Sequence, residues 1–277
     1  MSSSQVIRAL ALSCHPVPSV AVTAVSGGLA ALAQLPLGQG ALVMAAVFTG
    51  QLSVGWSNDY VDAERDRATR RADKPLATGA TTPRAVGMAA AAALLSTIVL
   101  SALLGWPGGA VALLTVLSAW AYNIGFKATA LSWLPYGVSF GLAPAIVTMS
   151  AVPPRWPAAW ALTAGALLGV AAHLANVLPD LEDDRATGVR GVAHRIGARG
   201  TALTAAALLL TASAVILFGP VGPVGPWRVA GFVAAVLVSV LAVRLALGDR
   251  SSRRFFFAII AIAALDLVSF ALAGIRL

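Results

Sequence analysis

The chain has 277 residues, 58% of them hydrophobic and only 11% charged, with a formal net charge of +8. That composition, at a mean hydropathy of +0.84, excludes a soluble globular domain. The positive balance needs no nucleic-acid partner: the chain holds no separate basic domain and no basic–aromatic platform, and anionic lipid headgroups with an anionic ligand account for it. A single cysteine, Cys14, excludes an internal disulfide and a multi-cysteine metal site.

A helix that crosses a bilayer takes about 20 apolar residues. The hydropathy pattern predicts nine such segments, near 16–34, 39–56, 84–105, 109–127, 132–150, 157–179, 200–218, 226–247 and 254–274. With their short connectors they use up the chain, so the reading is all-α: one polytopic membrane domain over residues 1–277. No charged leader with a cleavage site precedes the first apolar segment, which reads as a retained helix.

Orientation follows from the basic residues between the segments. Sixteen of the nineteen Lys and Arg fall at the N-terminus or in connectors after even-numbered helices, whereas Arg155, Arg228 and Arg276 fall on the other side. Basic residues stay cytoplasmic during insertion. The expected protein is therefore a multi-pass cell-membrane protein with a cytoplasmic N-terminus and, for nine helices, an external C-terminus.

The acids are distributed unevenly. Nine of eleven lie in two stretches on that cytoplasmic side: Asp59, Asp62, Glu64, Asp66 and Asp73 after the second segment, and Asp180, Glu182, Asp183 and Asp184 after the sixth. A carboxylate at the edge of lipid is costly and reads as functional. Asn58, Asp62 and Asp66 follow at i, i+4 and i+8, one helical stripe roughly 12 Å long. Asn176, Asp180 and Asp184 repeat the spacing. An amide and two carboxylates, twice, suit magnesium, which takes oxygen ligands and completes its shell with substrate phosphates and water. Glu64 lies off the stripe. Two facing stripes would hold ions around one diphosphate.

Cations follow each cluster, as an anionic ligand requires: Arg65, Arg71 and Lys74 after the first, Arg185 and Arg190 after the second. Lys127, five residues after Tyr122, reads either as a point charge on the diphosphate or as a lysine snorkelling from a helix end. His173, seven residues before Asp180, reads as an acceptor-orienting group or as a packing histidine, and His15 is equally two-sided. Asp266 is an isolated intramembrane acid with no assigned role.

At these residues the chain resembles the UbiA superfamily of intramembrane prenyltransferases, from about Pro16 onward. Its Asn-Asp-x-x-Asp-x-x-x-Asp signature reads Asn58, Asp59, Asp62, Asp66; its second signature, Asp-x-x-x-Asp, reads Asp180, Asp184. Tyr122 with Lys127 fits the family's Tyr-x-x-x-x-Lys, and Lys74-Pro75-Leu76 to Gly79 fits the segment after the first motif. Where some relatives carry a third Asp in the second motif, this chain has Gly188.

The resemblance implies nine helices around a central cavity, capped by the motif loops. It implies Mg2+ on Asn58, Asp59, Asp62, Asp66, Asn176, Asp180 and Asp184. The substrate would be an allylic prenyl diphosphate, ionised to an allylic cation that an aromatic, quinone-precursor or lipid acceptor attacks. Lys127, Asp66 and Tyr122 are the catalytic candidates, and Trp120, Trp133 and Tyr136 are further aromatic side chains that face either the cation or lipid. A terpene cyclase on the same scaffold, needing no acceptor, stays open. A transporter is disfavoured because the acids gather at one surface, whereas coupled-transport sites lie near the bilayer midplane.

Overall fold

The computed structural model describes residues 3–248, 254–272 and 277. Among these the secondary structure is helical throughout. An amphipathic helix α1 (Ser3–Ser13) meets α2 (Pro16–Leu32) at an angle of 62°. Then come α3 (Leu37–Ala68), α4 (Pro83–Leu103), α5 (Trp106–Ile124), α6 (Leu134–Gly141), α7 (Ala143–Met149), α8 (Ala159–Val177), α9 (Leu181–Ala186), α10 (Val192–Phe218), α11 (Pro226–Gly248) and α12 (Arg254–Leu272). Prolines open many of them, at Pro16, Pro83, Pro107, Pro135 and Pro226. In the first turn the missing N–H costs nothing and the fixed φ already suits a helix.

Six helices are long and apolar enough to cross a membrane, or seven if the bent α1–α2 pair is one span. Two more segments, Leu134–Met149 and Phe256–Leu272, are apolar but shorter. The predicted fifth segment is therefore a broken one. Pro144 removes a backbone donor and its ring crowds the preceding turn, so the helix parts between Gly141 and Ala143. Helix α3 runs far beyond the predicted end at residue 56: at 32 residues it is about 48 Å long, more than a bilayer core needs. Its last turns carry the first acidic motif beyond the apolar layer. Outward side chains such as Leu95, Ile98 and Val99 on α4 and Leu237 and Leu241 on α11 are exposed, as lipid-facing residues are.

The helices close into a ring. Helix α3 packs on α2, α4 and α5; α8 on α6 and α10; α11 and α12 on each other; and α12 returns to α2 and α8. The contacts are lined by small residues, among them Ala171, Ala175, Ala205 and Ala212, all at most 1% exposed, which let backbones approach closely. Gly197, at φ +73°, kinks α10 soon after it starts. That is a conformation open to glycine at little cost, and it folds the first turn of α10 over the end of the ring.

Candidate active site

One cavity of about 340 Å3 runs through the ring, with its charged side chains gathered at one end. The α3 stripe forms one wall of that end: Asn58, Asp62 and Asp66 all line it, as a 100° step per residue dictates for positions four apart. Asp62 and Asp66 are only 6% and 5% exposed. The opposite wall comes from the end of α8: Asn176, Asp180, Asp183 and Asp184 line it, and Asp184 lies within electrostatic reach of Asp62 and Asp180.

The second stripe differs from the expected continuous helix. Pro179 breaks α8, the chain passes through a tight 3-10 turn at Leu178–Asp180, and α9 resumes at Leu181. Asp183, seven residues after Asn176 and three after Asp180, keeps a spacing that shares the stripe's face, and it lines the cavity beside Asp184.

Cations are interleaved with these acids. Arg65 Nη2 donates to Asp62 Oδ2 at 2.7 Å, and Lys127 Nζ makes a close contact with Asp62 Oδ1. Lys127 does not end a helix: α5 stops at Ile124, and the lysine sits in a 3-10 turn, Phe126–Ala128, with its ammonium aimed into the cavity mouth. Burial holds its pKa below the ordinary lysine value, although Asp62 pulls the other way. Arg71 Nη1 donates to Asp180 Oδ1 at 3.0 Å, joining the two motifs, while its Nε and Nη2 hold both oxygens of Asp73 at 2.8 and 2.9 Å. That pairing pulls the Asp73 carboxyl down to about 2 and pushes the guanidinium up.

Three sequence-predicted residues stand elsewhere. Asp59, a single residue past Asn58, points away from the stripe and does not line the cavity. It is 1% exposed, and its Oδ1 accepts from Lys74 Nζ at 2.6 Å and lies 3.1 Å from His15 Nε2. Lys74, read as a diphosphate cation, does line the cavity, and its ammonium is held in this buried ion pair, which ties the connector after α3 to the α1–α2 corner. Arg185 turns to the carbonyl of His194 at 3.0 Å, and Arg190 is exposed; neither lines the cavity.

Below the charged rim the lining turns aromatic and then apolar. Tyr122 stands edge-on to Tyr136 and His173, with ring centroids 5.1 and 5.5 Å apart, and Tyr136 shares a hydrogen bond with Asn176. Trp120 instead donates to Ser53 at 3.3 Å. Deeper still come Val25, Ala46, Val47, Ala112, Val116 and Ile146. His194, which sequence reasoning passed over, also lines the cavity, with Nε2 3.6 Å from Asp184 Oδ2; only its position ten residues after Asp184 could have marked it. Asp266 lies outside the lining, 0% exposed, accepting from Ser213 at 2.7 Å.

The donors facing each other across the mouth are carboxylate and amide oxygens, the chemistry a hard divalent ion prefers. Asn58 uses its amide nitrogen on Asn123 at 3.2 Å, so its carbonyl oxygen is the atom left for a cation. Among the described residues no three His, Cys, Asp or Glu side chains converge on one point. An ion here would take only one or two ligands from each wall and the rest from phosphate and water, the usual magnesium arrangement.

A sequence model of the UbiA prenyltransferase family matches residues 19–272. No curated protein matches the chain. Among solved structures, an apo UbiA homolog from Aeropyrum pernix K1 superposes with a TM-score of 0.74 at 19% identity, over 92% of this chain and 98% of that one. A UbiA homolog from Archaeoglobus fulgidus bound to DMAPP and Mg2+ gives 0.72 at 14%, over 95% and 98%. A digeranylgeranylglyceryl phosphate synthase gives 0.69 at 16%, over 98% and 99%.

Proposed function

The chain belongs to the UbiA prenyltransferase family, and from that premise we propose that it transfers a prenyl group from an allylic prenyl diphosphate to an acceptor. The observation that carries this reading is one continuous cavity that joins two facing acidic stripes to an apolar interior. That layout fits a molecule with a diphosphate head and a hydrocarbon tail. Homologs of the same fold hold DMAPP or GPP together with Mg2+.

In this reading Asn58, Asp62 and Asp66 on one wall and Asn176, Asp180 and Asp184 on the other hold divalent ions. Bound there, the ions supply positive charge to the diphosphate oxygens. Lys127 and Arg65, which pair with Asp62, face the bound diphosphate, so charge growing on it as the C–O bond breaks meets cations already in place in a site with little water. Tyr122 and Tyr136, packed against each other beneath the charged rim, supply the ring faces that stabilise the allylic cation. The apolar lining buries the tail and keeps water from the cation. An electron-rich acceptor atom then bonds to the allylic carbon and gives up its proton, and diphosphate departs.

We further propose one membrane domain with nine crossings: the six long spans, the bent α1–α2 pair, the broken α6–α7 helix and α12. The basic connectors support a site that faces the cytoplasm from the cell membrane. The test is to incubate purified protein with geranyl diphosphate and Mg2+, with and without a pool of aromatic, quinone-precursor and lipid acceptors. A prenylated acceptor supports transfer. A cyclised hydrocarbon made without acceptor would assign a terpene cyclase instead, and absence of diphosphate release throughout would refute both.

A further inference from the structure

Ser132 sits at the junction of three segments that carry the site, although nothing in its own sequence context marks it. Its side chain is 0% exposed. The Oγ accepts from the backbone N–H of Val192 at 3.1 Å and lies 3.1 Å from His173 Nε2. Val192 begins α10, directly after the loop of the second acidic motif. His173 is on α8, two turns before that motif, and is 1% exposed with its ring against Tyr122 and Tyr136. The Ser132 N–H donates to the Thr129 carbonyl at 3.2 Å and the Thr129 N–H to that of Phe126 at 3.0 Å, so Ser132 closes the successive turns that carry Lys127.

The second-motif loop also docks on that turn through Gly191. A Cβ built there would stand 2.8 Å from the Lys127 carbonyl oxygen and 2.8 Å from Ser132 Oγ, closer than real side chains come. At φ −66° and ψ −177° the backbone of Gly191 is open to any residue, so its value here is the close approach alone. The Lys127 turn is thereby held between the motifs. Its ammonium meets Asp62 of the first, and its backbone rests against the loop of the second.

Resting on the prenyl-transfer reading above, we propose that Ser132 is a positioning residue. Backed by His173, it fixes the Lys127 turn to the second-motif loop and so sets where the ammonium stands relative to the diphosphate. Its hydroxyl can donate to His173 Nε2 while accepting from Val192, so one side chain serves the buried ring of His173 and the first N–H of α10 together. Ser132 acts through Lys127, which is what makes the idea testable.

The experiment measures Mg2+-dependent release of diphosphate from geranyl diphosphate in the presence of the acceptor pool named above, and the affinity for geranyl diphosphate, in full-length protein. Ser132→Ala and the wedge Gly191→Ala should each lower the release rate by roughly 10–100-fold, the cost of a misplacement near 1 Å, with little change in affinity. His173→Phe keeps the ring packing, removes Nε2 and should give a smaller loss of the same kind. In a Lys127→Met background Ser132→Ala should cost nothing more, since residues that act as a unit are non-additive. A loss of the same size in both backgrounds, or wild-type rates in Ser132→Ala and Gly191→Ala, would overturn the proposal. Absence of release from the wild type would instead remove the reading on which it rests.

Discussion

Arg71 binds the two acidic motifs to each other: its Nη1 reaches Asp180 at 3.0 Å from the connector that follows the first motif, while Asp73 holds the rest of the guanidinium. A bidentate fork on one carboxylate with a nitrogen left for another is a task for arginine, not lysine.

Arg71→Ala should therefore raise KM for geranyl diphosphate about tenfold, the equivalent of one charge-assisted hydrogen bond of ~1.5 kcal/mol. Arg71→Lys should recover only part of it. Because the Asp73 carboxyl sits at about 2, below its ordinary value near 3.9, the contribution of the pair is complete above about pH 4 and fades only as pH falls toward 2. The ratio of the two KM values should be flat between pH 5 and 8; a ratio that collapses within that window would mean another group governs it.

The Asp59–Lys74 pair should behave as part of the framework. Lys74→Met leaves a buried carboxylate without its ammonium, and breaking a buried pair costs about 3–5 kcal/mol. We expect a marked drop in thermal unfolding temperature in detergent, largely restored in the Asp59→Asn, Lys74→Met double variant. Single and double variants of equal stability would mean that the pair is not what holds the α1–α2 corner to α3.

Much of this was legible in the sequence, for physical reasons. Apolar runs mark helices that must satisfy their own backbone in lipid, and four-residue spacing puts Asn58, Asp62 and Asp66 on one face of α3 wherever that helix ends. Asp59 was harder to place: the motif groups it with the stripe, but a single step of 100° turns it toward His15 and Lys74. The break at Pro179 was not anticipated, yet Asp183, three residues after Asp180, still reaches the cavity with the second stripe. Ser132 and Gly191 carried no signal, because their roles depend on contacts between segments 41 or more residues apart.

Lys127 offers a pH test. Burial lowers its pKa, so its positive charge is lost earlier on the alkaline side than that of a free lysine near 10.4. Diphosphate release should fall with an alkaline limb below that value, and Lys127→Arg should move the limb upward because guanidinium stays charged. Lys127→Met should lower the release rate on the order of 10²–10³-fold. A wild-type rate in Lys127→Met would reduce the residue to a snorkelling side chain.

Sidedness is open to labelling. A cysteine at exposed Ala72, in the connector after α3, should react only from the cytoplasm, and one at exposed Gly222, between α10 and α11, only from outside. Labelling of both from one side would refute the proposed orientation.

The central claim is that two facing carboxylate stripes hold the head of an allylic diphosphate, and the most direct measurement is Mg2+-dependent diphosphate release from geranyl diphosphate, with the acceptor pool present, by three single variants. Asp62 and Asp184 line the cavity on opposite walls, while Glu64 is exposed and outside it. Asp62→Ala and Asp184→Ala should abolish release while folding is retained, and Glu64→Ala should stay close to wild type. Equal damage from Glu64→Ala, or full activity in either of the other two, would contradict the account.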